Sequence, residues 1–192
     1  MSSSARSEPG AGLVVLDRDG VINRESAEFI KTADEWLPLG GSLEAIAALS
    51  QAGFTVVVAT NQSGVGRGLI SAAALRDINC RMQQGIERAG GKLAGIFVCP
   101  HRPEDDCSCR KPKPGLLRQI EAEFGCSLKD RPVIGDSARD IEAARAIGAR
   151  AILVRTGNGI ETERRIRDAH SVEVYDDLAA AAGSLIGRGV VG

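Results

Sequence analysis

The sequence predicts an α/β domain in which a three-layer, doubly wound parallel sheet carries helices on both faces. Short apolar runs alternate with segments whose apolar residues recur at helical spacing, in the order β-α-β-α-β-loop-β-α-β. The runs are apolar at successive positions, as expected of strands buried on both faces. We therefore expect one domain over residues 13–187, with a disordered leader over 1–12 and a tail over 188–192.

Each element follows from the pattern of its own segment. The apolar runs at 13–17, 54–59, 94–98, 132–134 and 151–154 are predicted strands. Helical spacing is found at 41–52, where Ser42 is the expected N-cap, and at 72–89, where Ser71 has that role. Further helices are predicted between the fourth strand and residue 147, and at 116–124, 161–167 and 176–187.

The overall composition excludes several classes of protein. Lys and Arg total 24 and Asp and Glu total 25, so the charge gives no reason to expect a nucleic-acid partner. No apolar run approaches the roughly 18 residues of a membrane span, and the N-terminal segment lacks an apolar signal core. We therefore expect a monomeric cytoplasmic protein that binds neither nucleic acid nor membrane.

The first candidate site is Asp17-Arg18-Asp19-Gly20-Val21-Ile22-Asn23, at the end of the first predicted strand. Ligands of open α/β sheets bind at the carboxyl ends of the strands. Asp17 could act there as a nucleophile and metal ligand, and Asp19 as acid and base if its pKa is raised. The alternative is that Asp17 caps a turn and that Asp19 and Gly20 only form that turn.

The second candidate site follows the second strand and is rich in glycine. Backbone amides of Thr60-Asn61-Gln62-Ser63-Gly64-Val65-Gly66-Arg67-Gly68 could approach a phosphate closely, and the Thr60 hydroxyl could donate to a phosphoryl oxygen. We assign Asn61, Gln62 and Ser63 to substrate binding. A long turn would use the same residues, but the position directly after a buried strand favours a site.

The chain has five cysteines, an odd number that argues against a disulfide framework in a chain without an export signal. Three of them lie close to a histidine, in the set Cys99, His101, Cys107 and Cys109. Three thiolates and one imidazole form a closed ligand set of the kind that binds structural zinc. The spacings C-x-H and C-x-C are tighter than a usual zinc knuckle, so reduced cysteines in a polar loop are the alternative.

Two basic residues directly follow the cysteine cluster. Zinc bound at Cys109 would hold Arg110 and Lys111 at a fixed place on the rim of the sheet. A lysine beside a phosphoryl group neutralises its charge, and an arginine can grip a sugar hydroxyl or a second phosphate with its planar fork. Lys113 is expected to be merely exposed.

The last candidate site follows the fourth strand, in Gly135-Asp136-Ser137-Ala138-Arg139-Asp140. Asp136 can meet Asp17 and Asp19 across the sheet and form an oxygen site suited to Mg2+. The alternative is that Asp136 is merely the N-cap of the following helix.

Together these segments resemble the haloacid dehalogenase (HAD) superfamily of phosphatases, in the form carried by its heptose-bisphosphate and histidinol-phosphate phosphatases. The resemblance implies that Asp136 holds the metal, that Asp140 supports it, and that Lys111 stabilises the phosphate while Arg110 recognises the substrate. It also implies zinc in the cysteine loop. Many relatives have Lys where Ser137 stands, so a second cation near the phosphate is missing here, and we place Ser137 in the substrate-binding set.

The resemblance implies a capless, Mg2+-dependent phosphatase, since no insertion is long enough for a folded cap domain. The expected substrate is the small sugar phosphate D-glycero-D-manno-heptose 1,7-bisphosphate, which loses its 7-phosphate in the synthesis of nucleotide-activated heptose for lipopolysaccharide or other surface glycans. Histidinol phosphate is the alternative, although its cationic amine would want an acidic neighbour rather than Arg110. A zinc-stabilised interaction module without activity is disfavoured, because every catalytic position is intact.

Overall fold

The structure, a computed structural model, describes residues 12–166 and 172–189. Within these ranges the sheet has six strands, all paired in parallel. They are β1 (Gly12–Leu16), β2 (Phe54–Asn61), β3 (Gly95–Cys99), β4 (Pro132–Gly135), β5 (Arg150–Val154) and β6 (Glu173–Tyr175). Their order across the sheet is β3-β2-β1-β4-β5-β6.

Helices connect and cover these strands. They are α1 (Ser42–Gln51), α2 (Ser63–Gly66), α3 (Ala72–Arg88), α4 (Gly115–Phe124), α5 (Ala138–Arg145), α6 (Gly159–Arg165) and α7 (Leu178–Gly189). Short 3-10 turns lie at Ala33–Glu35 and Pro103–Asp105. In the described ranges no second folded unit covers the sheet, which agrees with the expectation of a protein without a cap domain.

Two hydrophobic clusters lie on opposite faces of the sheet, because successive strand residues point to opposite sides. Val14 and Leu16 of β1 pack on one face with side chains of α1, α3 and α7. Leu13 and Val15 pack on the other face with side chains of α4 and α5. The three-layer, doubly wound architecture predicted from the sequence is therefore confirmed.

The order of the strands places a crevice between β1 and β4. The chain runs outward from β1 to β3 and then returns to the other side of β1, so the connections diverge at this point. Leu16 pairs with Val58 on one side and with Ile134 on the other. Such a switch point is where open α/β sheets bind ligands, at the carboxyl ends of the strands.

Most predicted elements are present, with bounds that shift by one or two residues. The predicted sheet had five strands, and the short edge strand β6 was not expected. The terminal helix begins at Leu178 rather than at residue 176, and β1 already includes Gly12. Residues 1–11 of the predicted leader, residues 190–192 of the predicted tail and Arg167 of a predicted helix lie outside the described residues.

The two predicted helix caps had different outcomes. Ser71 caps α3 as predicted, with its side-chain oxygen accepting a hydrogen bond from the Ala74 amide at 3.0 Å. Ser42 is not the cap of α1: the cap is Gly41, at φ 77°, and Ser42 is the first helical residue. The buried Ser42 hydroxyl instead lies 2.6 Å from the Ile22 carbonyl oxygen, which ties α1 to the segment after β1.

In the described part of the chain, no helix combines the length and the apolar character that crossing a membrane requires.

Candidate active site

A cleft at the carboxyl ends of β1, β2 and β4 collects the predicted active-site residues. Asp17 and Asp19 line it from the loop after β1, and Thr60 lines it from β2. Lys111 and Asp136 reach it from the loop after the cysteine cluster and from the end of β4. The structure thus brings together residues that are far apart in the sequence.

Asp17 lies at the floor of this cleft, directly after β1. Its amide donates to the Ile134 carbonyl at 2.9 Å, and its Oδ1 accepts a hydrogen bond from the Arg18 amide at 2.7 Å. Burial raises the pKa of Asp17 to about 7, and the neighbouring carboxylates of Asp140 and Asp136 add to this effect, although Lys111 opposes it. Asp17 is therefore held at a defined place where negative charge is crowded.

Lys111 is buried beside Asp17. Its Nζ lies 3.0 Å from Asp17 Oδ1 and 2.5 Å from Asp140 Oδ1, and it donates to the Ala59 carbonyl at 2.8 Å. Burial alone lowers the pKa of Lys111, but the carboxylates of Asp140 and Asp17 outweigh it and raise the pKa above its usual range. Lys111 therefore carries its charge inside the protein.

Three carboxylates form a cluster that could hold a metal ion. Oxygen atoms of Asp17, Asp136 and Asp140 all lie within 4.8 Å of one another. Burial raises the pKa of Asp136 to about 7, although a hydrogen bond from the Asn158 amide acts to lower it. Asp140 Oδ1 is buried and has the Lys111 ion pair but no hydrogen bond of ordinary geometry.

These residues fit Mg2+ on the chemistry of their side chains. Three carboxylates around one ammonium leave an excess of negative charge, which a divalent cation would balance. Carboxylate oxygens are also the ligands that Mg2+ prefers. The predicted set differs in one member, because the Asp140 carboxylate belongs to the cluster and the Asp19 carboxylate does not.

Asp19 points instead toward a group of hydrogen-bond donors. Its Oδ1 accepts from Asn23 Nδ2 at 2.8 Å, and its Oδ2 accepts from Gln62 Nε2 at 2.7 Å. Arg18 Nη2 lies 3.1 Å from Oδ2. Asp19 lines the cleft, and its carboxylate is not part of the cluster of Asp17, Asp136 and Asp140. This place suits acid–base chemistry.

The residues at the end of β2 and directly after it line the cleft and also support its other groups. Thr60 is buried, and its Oγ1 accepts a hydrogen bond from Gln62 Nε2 at 2.9 Å. Asn61 pairs with the backbone of Lys111, accepting from its amide at 3.1 Å and donating to its carbonyl at 3.0 Å. Ser63 lines the cleft at the start of α2. Asn61 and Gln62, expected to bind substrate, thus use their amides to hold Lys111 and Asp19.

The four predicted zinc ligands are brought together by the loop after β3. Sγ of Cys99 lies 3.2 Å from Sγ of Cys109 and 3.6 Å from both Cys107 Sγ and His101 Nδ1. Cys109 Sγ is 3.5 Å from Cys107 Sγ and 3.3 Å from His101 Nδ1. A tetrahedral zinc with Zn–S bonds of about 2.3 Å separates its sulfur ligands by roughly 3.8 Å. The set therefore fits a four-coordinate structural zinc.

The cysteine loop contacts both the glycine-rich segment and Arg110. The Gly66 amide of the glycine-rich segment donates to the Pro100 carbonyl at 2.9 Å. Arg110, which lines the cleft, donates through Nη1 to the His101 carbonyl at 3.2 Å. Lys113 is exposed, as predicted, and lies 2.5 Å from Asp106. Folding of this loop thus helps to set the position of Arg110.

The start of α5 explains the roles of Ser137 and Asp140. Ser137, and not Asp136, is the N-cap, so the alternative interpretation of Asp136 as a cap is wrong. The Ser137 hydroxyl lies 2.5 Å from Asp140 Oδ2, which also accepts from the Ser137 amide at 3.1 Å. Ser137 lines the cleft, and its hydroxyl donates a hydrogen bond to Asp140 Oδ2.

The loop after β5 belongs to the site, although the sequence pattern suggested no function for it. The Asn158 amide donates to Asp136 Oδ2 at 2.8 Å, and its side chain contacts both Asp136 and Glu25. Thr156 Oγ1 donates to the Gly20 carbonyl at 2.6 Å. The position of this loop at the carboxyl end of a strand next to β4 was the available signal.

Two glycines, Gly20 in the loop after β1 and Gly157 in the loop after β5, allow these loops to approach Asp136. Gly20 and Gly157 have positive φ angles of 81° and 57°. A Cβ atom at either position would collide with Asp136 Oδ2. Glycine is required there both for the backbone conformation and for the close approach.

Comparisons with known proteins show the family of this chain. The family model of HAD-hydrolase-like proteins matches residues 108–181. A D-glycero-beta-D-manno-heptose-1,7-bisphosphate 7-phosphatase of Pseudomonas aeruginosa is 49% identical over 174 residues, which cover 91% of this chain and 97% of that protein.

Solved structures show the same architecture. A D,D-heptose 1,7-bisphosphate phosphatase from B. bronchiseptica, crystallised with magnesium and phosphate, matches with a TM-score of 0.89 and 46% identity over 92% of this chain and 98% of that one. A D,D-heptose 1,7-bisphosphate phosphatase from Burkholderia thailandensis matches with a TM-score of 0.73 and 41% identity over 91% of this chain and 97% of that one. The chain therefore belongs to the family of D-glycero-beta-D-manno-heptose-1,7-bisphosphate 7-phosphatases within the HAD superfamily.

Proposed function

We propose that this protein is a Mg2+-dependent phosphatase that removes the 7-phosphate of D-glycero-D-manno-heptose 1,7-bisphosphate. The observation that carries the proposal is the buried cluster of Asp17, Asp136 and Asp140 around Lys111, at the switch point of the sheet. The relatives that share 41–49% of the sequence act on this substrate according to their names. The product serves the synthesis of nucleotide-activated heptose for lipopolysaccharide or other surface glycans.

The first half of the reaction transfers the phosphoryl group to the protein. A carboxylate oxygen of Asp17 attacks phosphorus and forms an aspartyl-phosphate, while the bond from phosphorus to the oxygen at C7 breaks. Asp19, in its protonated form, gives its proton to that leaving oxygen. Lys111 is placed to balance the charge on the phosphoryl oxygens, because its ammonium lies 3.0 Å from Asp17.

The second half of the reaction releases phosphate. Asp19, now a carboxylate, takes a proton from a water molecule whose oxygen attacks phosphorus. The bond from phosphorus to the Asp17 oxygen breaks, so the carboxylate of Asp17 and the proton on Asp19 are both restored. The buried Thr60 hydroxyl is the further donor that we assign to the phosphoryl oxygens.

The two metals have separate roles. Asp17, Asp136 and Asp140 would hold Mg2+, which supplies positive charge to the phosphoryl oxygens when it is bound. Zn2+ in the cysteine loop is structural, since four protein ligands leave no position for water or substrate. When bound, it would fix the loop that carries Arg110.

Arg110 is the residue that we assign to recognition of the substrate beyond its reacting phosphate. It lines the cleft and is held by the His101 carbonyl at 3.2 Å. A guanidinium suits a hydroxylated or anionic group, which favours a sugar bisphosphate over the cationic amine of histidinol phosphate. We propose the β anomer as the preferred form, because the curated relatives carry it in their names.

The chemistry of the zinc ligands also bears on where the protein acts. Free thiols at Cys99, Cys107 and Cys109 need a reducing compartment to remain available for metal, which favours the cytoplasm. A monomeric state stays a prediction, and analytical ultracentrifugation of the purified protein tests it.

Phosphate release in the presence of Mg2+ tests the proposed function. The two anomers of heptose 1,7-bisphosphate are compared with histidinol phosphate, with Asp17→Asn as the control variant. We expect a large preference in kcat/KM for the β anomer and no release by Asp17→Asn. A preference for histidinol phosphate would overturn the substrate, and release that is independent of Asp17 would overturn the mechanism.

A further inference from the structure

Arg18 is a buried charged residue for which the proposed reaction has no role. It follows Asp17 directly in the sequence and is only 1% exposed. By volume, it is the largest of the fully buried side chains among the described residues. Burying a guanidinium costs free energy unless its donors are paired. The partners of Arg18 therefore indicate why a charge is present there.

The main partner of the Arg18 side chain is the carboxylate of Asp19. Nη2 lies 3.2 Å from Oδ1 and 3.1 Å from Oδ2, and Nε lies 3.3 Å from Oδ1. Both oxygens of Asp19 are thus contacted by one planar group. Contacts of this kind fix the plane of a carboxylate as well as its distance.

The other end of the guanidinium is anchored to a helix. Nη1 donates to Asn79 Oδ1 at 3.3 Å, and Asn79 belongs to the 17-residue helix α3. The side-chain amides of Asn23 and Gln62 each donate to one oxygen of Asp19. Both of these residues lie in loops, Asn23 in the loop after β1 and Gln62 in the loop after β2. Arg18 therefore connects Asp19 to a long regular element on the far side of the loop.

We propose that Arg18 is a positioning residue, which holds the carboxyl group of Asp19 in the orientation from which it gives a proton to the leaving oxygen and later, as a carboxylate, takes one from water. This inference rests on the proposed function. Proton transfer requires a donor–acceptor distance of about 2.6–3.2 Å, so a rotated carboxylate loses its partner. The described residues that line the cleft include Asp19 but not Arg18, so Arg18 acts through Asp19 and not on the substrate.

The alternative is that Arg18 only completes the core beneath the loop. The two roles differ in their dependence on Asp19. A residue that acts through Asp19 adds nothing once the Asp19 carboxylate has been removed, whereas a residue of the core weakens the protein whether or not Asp19 is present. A double-mutant cycle between Arg18 and Asp19 separates these roles.

The experiment measures phosphate release from heptose 1,7-bisphosphate with Mg2+ for Arg18→Met, Asp19→Asn and the double variant. Arg18→Met keeps the length of the side chain but removes the guanidinium. We expect kcat to fall about a hundred-fold, because a catalytic group that is misplaced by about 1 Å loses rate by a factor of this size. KM and the half-saturating Mg2+ concentration should be unchanged. The double variant should be no slower than Asp19→Asn alone.

Two further variants serve as references. Arg18→Lys retains the charge but lacks the planar fork, and it should recover part of the lost kcat. Arg76→Met removes an exposed arginine from α3, and it should leave kcat unchanged. If Arg18→Met does not fold, the same double-mutant cycle with Arg18→Lys distinguishes the positioning role from the core-packing role.

The inference is overturned if the substitution of Arg18 leaves kcat unchanged, if it raises KM instead, or if its effect adds in full to that of Asp19→Asn. The wild-type protein and Asp17→Asn are measured alongside. Absence of Asp17-dependent phosphate release in the wild-type protein would overturn the proposed function itself, which is a separate result.

Discussion

The crowding of carboxylates predicts that the metal-free protein loses stability as the pH rises. Burial raises the pKa of Asp136 to about 7, and the same holds for Asp17. A carboxyl group whose pKa is higher in the folded than in the unfolded state binds protons more strongly when folded. Its stability cost is absent below the unfolded pKa of about 3.9 and is complete above the folded pKa.

The size of this effect follows from the shift. For Asp136 alone the difference in pKa corresponds to about 4 kcal/mol at pH 8, of which roughly 1.5 kcal/mol is present at pH 5. The remaining 2.5 kcal/mol or so corresponds to a Tm that falls by roughly 5–10 °C between these pH values in a protein of this length. Mg2+ should reverse the loss and should therefore raise Tm more at pH 8 than at pH 5.

Thermal unfolding followed by circular dichroism tests this prediction. Magnesium is removed by gel filtration rather than by a chelator, so that the zinc site is not disturbed. Asp136→Asn is the matched control, and its Tm should depend less on pH over this range and respond less to Mg2+. A wild-type Tm that is equal at pH 5 and pH 8 without Mg2+, or a Mg2+ effect that survives in Asp136→Asn, would refute the reasoning.

Three other predictions concern the Mg2+ site, the zinc site and an ion pair between β5 and β6. Asn158→Ala removes a side-chain hydrogen bond to Asp136, and the half-saturating Mg2+ concentration for phosphate release should rise about ten-fold or more, whereas an unchanged value would contradict this role. Cys107→Ser should lower both zinc content, measured by mass spectrometry of metals, and Tm; full zinc content in this variant would argue against the proposed ligand set. A hydrogen bond from Arg150 lowers the pKa of Glu173 to about 2, so this pair stabilises the fold above pH 4.3 or so and ceases to do so as the pH falls toward 2. Glu173→Gln should cost about 1 kcal/mol in urea unfolding at pH 7, after screening by solvent, and less at pH 3; an equal cost at both pH values would contradict the assignment.

The fold and the location of the site were predictable because they depend on short-range patterns. Apolar runs define the buried strands, and the polar residues that follow them must meet where parallel strands end. Asp17, Thr60 and Asp136 were selected in this way, and the structure brings them to one cleft. The edge strand β6 was missed, since three half-buried residues give too short a pattern to be distinguished from a loop.

The orientation of side chains was less predictable, because it depends on residues distant in the sequence. Asp19 was expected to bind metal, but its carboxylate is not in the cluster of Asp17, Asp136 and Asp140. It accepts a hydrogen bond from Gln62, 43 residues away, and its partner Arg18 is itself anchored by Asn79 of α3. Asn158 supports Asp136 from a loop whose sequence carries no distinctive motif. Such contacts arise from the packing of separate loops, and no spacing along the chain encodes them.

The central claim is that Asp17 forms a covalent bond to phosphorus, and rapid quenching of a single turnover tests it most directly. The protein is mixed with heptose 1,7-bisphosphate and Mg2+, quenched in acid and digested, and the peptides are analysed by mass spectrometry. The account predicts a transient phosphoryl group on Asp17 that forms before phosphate is released and is absent in Asp17→Asn. Phosphate release without this species, or turnover that persists in Asp17→Asn, would contradict the account.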